Sequence, residues 1–333
     1  MTGEAVGLTG RRRAIAVAAA AVATAAACGR GGEERRGGTG AAAARAVTAA
    51  LEATADLRAP WRCALARDPG PAPAGWRLDG GRLVAVEPRA RVTVAAVAQA
   101  RGAAVDLRAD LRAAGVDVVV TTGGMGESEG DSRAALEALL DPAWLVVAVP
   151  GDAEDWPAHA RAVAALAAGG GAIVDGASAR IIDGGGAVLA TLPGERWAGR
   201  LQAGSEGCAH DDADLAATLE ALAAAAGDRP RVLVTAPAPQ GGASDLAPGG
   251  VHAGEPGLAR AVADGRLDLV LHGPVDAAVL PQGAARRGTS LALAAGLLDP
   301  VPRRALDGQA RPRGAVVATV DGRGVTWRLV PAP

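Results

Sequence analysis

Asp152, Glu154 and Asp155 fall close together, directly after an apolar run that ends in Pro150-Gly151. Clustered carboxylate oxygens suit a single divalent cation, to which Asp276 and either His272 or His252 would add. The same acids also suit the start of a helix near Trp156, where carboxylates accept from unpaired backbone N–H groups. Capping is the expected role, and Glu154 and Asp155 stay as candidate polar groups of a pocket. Four histidines are present. His252 lies in the Gly-rich loop 249–254 and is the best placed for a site rim. His272 closes an apolar run, and strand alternation turns it away from the direction of Pro274, toward packing. His159, on a helical stretch, and His210, beside Asp211-Asp212, are expected to be solvated.

Other chemistries find little support. Gly123-Gly124-Met125-Gly126 follows a strand-like run and offers backbone amides to an anion. It lacks a Walker lysine, and the chain contains no lysine at all.

The elements that must position these residues alternate. Apolar runs at Val92–Val97, Val116–Thr121, Leu145–Val149, Arg231–Thr235 and Leu267–His272 read as buried strands. Helices are expected over Val105–Ala114, Ser132–Leu140, Trp156–Ala168, Asp212–Ala226 and Gly257–Asp264. Hairpins are expected at Trp76–Glu87, at Ala179–Thr191 and around Asp321-Gly322. This alternation predicts an α/β domain over residues 91–333, with its site in loops at the carboxyl ends of the strands.

The chain of 333 residues carries a net charge of −2. It has no basic surface to argue for nucleic acid. With Tyr and Phe absent, aromatic cages and stacking platforms for bases would have to rely on six Trp, which argues against both.

Arg11-Arg12-Arg13 followed by apolar Ala14–Ala27 reads as an export signal over residues 1–27. Ala25-Ala26-Ala27-Cys28 resembles a bacterial lipobox. That resemblance implies lipidation of Cys28 and membrane attachment through a lipid anchor. Ordinary cleavage after Ala-x-Ala is the alternative. Cys28 is followed by Gly29 rather than the Asp linked to inner-membrane retention, which points to a periplasm-facing outer-membrane lipoprotein of the bacterial cell envelope. Residues 28–40 read as a flexible tether. Residues 41–90 read as a helix and a lead-in hairpin. Two further cysteines, Cys63 and Cys208, are expected to pair in an oxidising compartment. Two buried free thiols are the alternative.

The strand-end loops, in order, resemble those of the calcineurin-like metallophosphoesterases. Val97-Ala98-Gln99 stands where that family has Asp-x-His. Gly123-Gly124 stands for Gly-Asp, and Gly151-Asp152-Ala153-Glu154 for Gly-Asn-His-Asp or Glu. Ala236-Pro237-Ala238-Pro239 stands for His-x-Pro-Pro, and Gly273-Pro274-Val275-Asp276 for Gly-His-x-His. The resemblance implies a four-layer αββα sandwich, two mixed sheets flanked by helices. It also implies a two-metal site emptied of donors. Val97, Gly124, Ala236 and Pro274 offer no side-chain ligand, and Gln99 offers only a weak amide oxygen. Asp152 and Asp276 are the surviving carboxylates. Ala153 stands where the family's catalytic histidine would be.

The expectation is therefore a pseudoenzyme of the envelope with no catalytic residue and no metal cofactor. It would bind an unknown protein or small molecule through the old active-site face. A metal-dependent phosphoesterase with a degenerate or relocated site, holding a single divalent cation, is the alternative.

Overall fold

In the computed structural model the described residues are 63, 70–79, 81–196, 207–241, 245–247, 251–273, 284–301 and 313–332. The expectations for the export signal, Cys28, the tether, the N-terminal helix, Pro274 and Asp276 lie outside them.

Two sheets carry the fold. The first is built around β3 (Arg91–Ala98), β4 (Val118–Thr121), β5 (Leu145–Ala148) and β6 (Ile173–Asp175), all parallel. The last hairpin closes it: β16 (Gly314–Asp321) runs antiparallel to β3 and carries β17 (Gly324–Pro331) outside it. The short β15 (Gly296–Leu297) also pairs with β3.

The second sheet is the larger. Its order is β1 (Trp76–Asp79), β2 (Arg82–Arg89), β7 (Ile181–Gly185), β8 (Val188–Leu192), β9 (Arg231–Thr235), β12 (Leu269–His272), β14 (Ser290–Ala294) and β13 (Ala284–Arg287). Between β9 and β12 the chain forms a small antiparallel ribbon, β10 (Leu246–Ala247) with β11 (Val251–His252). The hairpin expected to lead into the domain is one edge of the larger sheet. β2 pairs in parallel with β7, a contact nearly a hundred positions away along the chain.

Alternation along each strand sorts the side chains into layers. Val94, Ala96 and Ala98 of β3 pack against Val232, Val234, Leu269 and Leu271 of the other sheet. The intervening Ala95 and Val97 face α1 (Arg108–Ala113), α2 (Glu129–Glu137) and α3 (Trp156–Ala168) on the outer side of the first sheet. Val188, Leu233 and Val270 face α4 (Asp212–Ala226) and α5 (Pro256–Ala263) on the outer side of the second. The result is an αββα sandwich with three apolar layers. It follows from the continuous apolar character of the central strands, which must be covered on both faces.

The helix starts are chemically specified. Ser128 caps α2 by accepting from Asp131 N–H, and Asp155 caps α3 by accepting from Ala158 N–H. Asp211 and Asp214 form a reciprocal capping box on α4. Cys63 and Cys208 form a disulfide, with Cα atoms 5.5 Å apart. It is fully buried beside Trp156 and Ala177.

Candidate functional site: a cleft at the strand ends

Loops leaving the carboxyl ends of strands in both sheets meet at one cleft of about 280 Å³. Gln99 and Arg101 come from the loop after β3, and Thr122 to Gly124 from the loop after β4. Asp152 and Ala153 follow β5, Glu195 follows β8, and Ala236 and Gly273 follow β9 and β12.

The loops approach backbone to backbone, and glycine permits this. A Cβ on Gly273 would stand 2.7 Å from the Thr122 carbonyl oxygen and 2.9 Å from that of Ala236. A Cβ on Gly151 would stand 2.9 Å from Gly123 Cα and 3.3 Å from Ala236 Cβ. These contacts draw the two sheets together at the cleft floor.

Among the described residues, Gln99 and Arg101 are the non-glycine positions with positive φ, at 54° and 51°. Each costs about 1 kcal/mol or more in this region. Hydrogen bonds hold them there: Gln99 N–H donates to Gly123 O and Arg101 N–H to Gly124 O, both at 3.0 Å. Both side chains line the cleft.

Glu154 lies beneath the cleft rather than in its lining. Its carboxylate is fully buried and accepts from Met125 N–H at 2.8 Å and from Gly151 N–H at 3.0 Å. It therefore clasps the loop after β4 to the loop after β5. Burial pushes its carboxyl above the usual range, while His159 and the two amides pull the other way. Met125 N–H, one of the amides considered for an external anion, is already taken by this internal carboxylate.

The positions singled out from the sequence divide as follows. Gln99, Gly124, Asp152, Ala153 and Ala236 come together at the cleft. Val97 does not, because its side chain is buried on the helix-facing side of β3. Asp155 is the cap of α3. His252 does not line the cleft. Its Nδ1 stands 2.8 Å from the buried Asp245 carboxylate, and its ring is about half exposed. His272 is buried, and its Nδ1 donates to Gly273 O at 2.8 Å. Burial lowers the pKa of His272 to about 4, so the ring is neutral.

Two histidines correct the expectation of solvation. His159 is buried on the inner face of α3, with Nε2 3.4 Å from Ala148 O. His210 is buried between Pro193 O, 3.0 Å from Nδ1, and the Glu255 carboxylate, 3.3 Å from Nε2. Burial, the largest influence, favours the neutral ring, but the hydrogen bond to Glu255 and its charge, with Pro193 O and the Glu195 charge, together outweigh it and the net shift is upward.

The residues at the cleft do not fit a two-metal centre. At the positions where the resemblance calls for ligands, Gly124, Ala153 and Ala236 carry no donor, which leaves Asp152 and the Gln99 amide there; the other carboxylates of the lining, Glu127, Asp131 and Glu195, stand at other positions. Among the described residues no group of three or more His, Cys, Asp or Glu is placed to hold a metal ion. The backbone at Gly124 adds a steric bar. Its φ is +76°, and a Cβ there would stand 2.9 Å from Gln99 Cα. A carboxylate at this position would need the Gln99 loop to move.

Sequence reasoning missed Arg101, Glu127, Asp131 and Glu195, all of which line the cleft. Glu127 and Asp131 flank the cap of α2 and could have been placed near the site from the Gly-rich loop before them. Glu195 had no local signal, since a bridge to Ala209 brings it in.

No protein-family model matches the chain, and no curated protein does. Solved structures do match. One aligns over 73% of this chain and 100% of its own length, at 11% identity and a TM-score of 0.51. The protein TT1561 of Thermus thermophilus aligns over 72% of this chain and 98% of its own, at 16% identity and a TM-score of 0.47. The first of these likenesses is one of fold: the αββα sandwich is an architecture that other solved chains share.

Proposed function

We propose that this chain is a metallophosphoesterase-like scaffold that works by binding rather than hydrolysis, held at the bacterial envelope through Cys28. The observation that carries the reading is the composition of the cleft. The strand-end loops arrive together, yet Gln99, Gly124, Ala153 and Ala236 stand where the resemblance calls for ligands or a catalytic acid. A two-metal hydrolase needs clustered nitrogen and carboxylate donors to hold its ions and generate hydroxide. Asp152 is the one donor of that kind left among these described positions. The Gly124 backbone argues in the same direction, because it excludes the side chain a ligand there would need.

Metal analysis of the purified chain, with hydrolysis of an aryl phosphodiester in added Mn²⁺, tests the reading. The expected result is substoichiometric metal and no turnover above background. Stoichiometric metal, with hydrolysis abolished by Asp152→Ala, would overturn it in favour of a phosphoesterase with a relocated single-cation site.

A further inference from the structure

We infer that the cleft takes a small organic cation with ammonium donors, such as a linear diamine, rather than a phosphate. This deepens the binding reading above and rests on it. Glu127, Asp131, Asp152 and Glu195 line the cleft against one cation, Arg101. The formal balance of these groups is −3, so the potential in this confined space repels anions. A family that binds phosphate offsets such acidity with metal charge, and the residues here do not fit that centre.

Buried groups without partners point the same way. Thr122 lines the cleft and is 3% exposed, yet its Oγ1 has no hydrogen-bond partner among the described residues. The Gln99 amide oxygen is likewise buried and unpartnered. Orphaned polar groups of this kind cost about 1–3 kcal/mol each unless a partner reaches them; the Gln99 oxygen can only accept, and the Thr122 hydroxyl can accept as well as donate. Gln99 is also held at positive φ by its bond to Gly123, which fixes where its amide sits. An alkylammonium supplies up to three N–H donors and a positive charge to a set of carboxylate, amide and hydroxyl oxygens. The cleft volume of about 280 Å³ admits a short flexible chain and not a large polymer.

Calorimetric titration of the full chain, disulfide intact, with putrescine tests the inference. Saturable binding is expected, weakened about tenfold in Asp152→Asn through loss of one charge-assisted hydrogen bond. Glu127→Gln, an exposed change that leaves packing alone, should weaken binding by a smaller factor and leave the melting midpoint where it is. Absence of binding, equal affinity in both variants and the parent, or tighter binding of magnesium or inorganic phosphate than of putrescine overturns it. Failure here leaves the non-hydrolytic reading standing, since that reading fails only through metal-dependent turnover.

Discussion

Removing the Glu154 carboxylate should loosen the molecule more than any surface change. Glu154→Ala strands two buried donors, Met125 N–H and Gly151 N–H, that now donate at 2.8 and 3.0 Å. An unsatisfied buried donor costs about 1–3 kcal/mol. Part of that loss is returned, because the variant no longer desolvates a carboxylate. The net expectation is about 2–4 kcal/mol. For a domain of this size, each kcal/mol moves the melting midpoint by roughly 2–4 °C. Calorimetric melting against Ser128→Ala supplies the scale, since losing that exposed cap costs about 1 kcal/mol. A pH series adds an independent reading. Burial raises the folded pKa of Glu154. Between the unfolded and folded values the native state therefore binds more protons, and the parent chain loses stability as pH rises through that window. Glu154→Ala should lack this slope. A variant that melts no lower than Ser128→Ala and keeps the parent's pH profile would refute the clasp.

Other expectations follow from the same geometry. The disulfide spans 145 residues, a loop whose closure entropy is worth about 5 kcal/mol in the chain-entropy model. Reduction should lower the denaturant midpoint markedly, and two thiols alkylated without reductant would refute the pairing. His210 has a folded pKa above 6.5. Its contribution should be full below that pH and lost as pH rises through the folded value. His210→Gln should flatten this loss, with Glu255 and Glu195 the charged groups nearby. Gly273→Ala would push a Cβ against two carbonyl oxygens and should cost several kcal/mol, about the scale of overpacking a core, read as a lower melting midpoint. Gly124→Asp should destabilise the chain and bind no manganese; a stable variant that takes up the ion stoichiometrically would show that the backbone can accept a ligand there.

Some of this was legible in the order of residues. The apolar runs ending at Thr121, Val149, Thr235 and His272 are strands because segments buried on both faces must be apolar throughout. The helix of Asp212–Ala226 appears with its expected bounds, since its acidic cap and uninterrupted Ala and Leu leave few other choices. The Cys63–Cys208 bridge followed from their being the two cysteines beyond Cys28. The bare character of Gly124, Ala153 and Ala236 is likewise a property of the letters alone.

Tertiary structure decided what depends on distance through space. Periodicity could not tell that β2 would join β7, since parallel pairing between remote segments leaves no local mark. His159 and His210 read as solvated because their neighbours in sequence are polar or Ala-rich, yet both are buried, His159 against Ala148 of β5 and His210 between Pro193 and Glu255. Glu154 looked like one more capping acid beside Asp155. Only the approach of Met125 and Gly151 makes it the clasp between two loops. Val97 was assigned to the site by its place in the order of loops, and the pleat of β3 turns it to the helices. The acidity of the cleft likewise emerged from Glu127, Asp152 and Glu195 in three different loops and Asp131 in the first turn of α2. Sequence settles which side chains have donors to give; the fold settles which of those donors face one another, because that is fixed by packing between residues far apart in the chain.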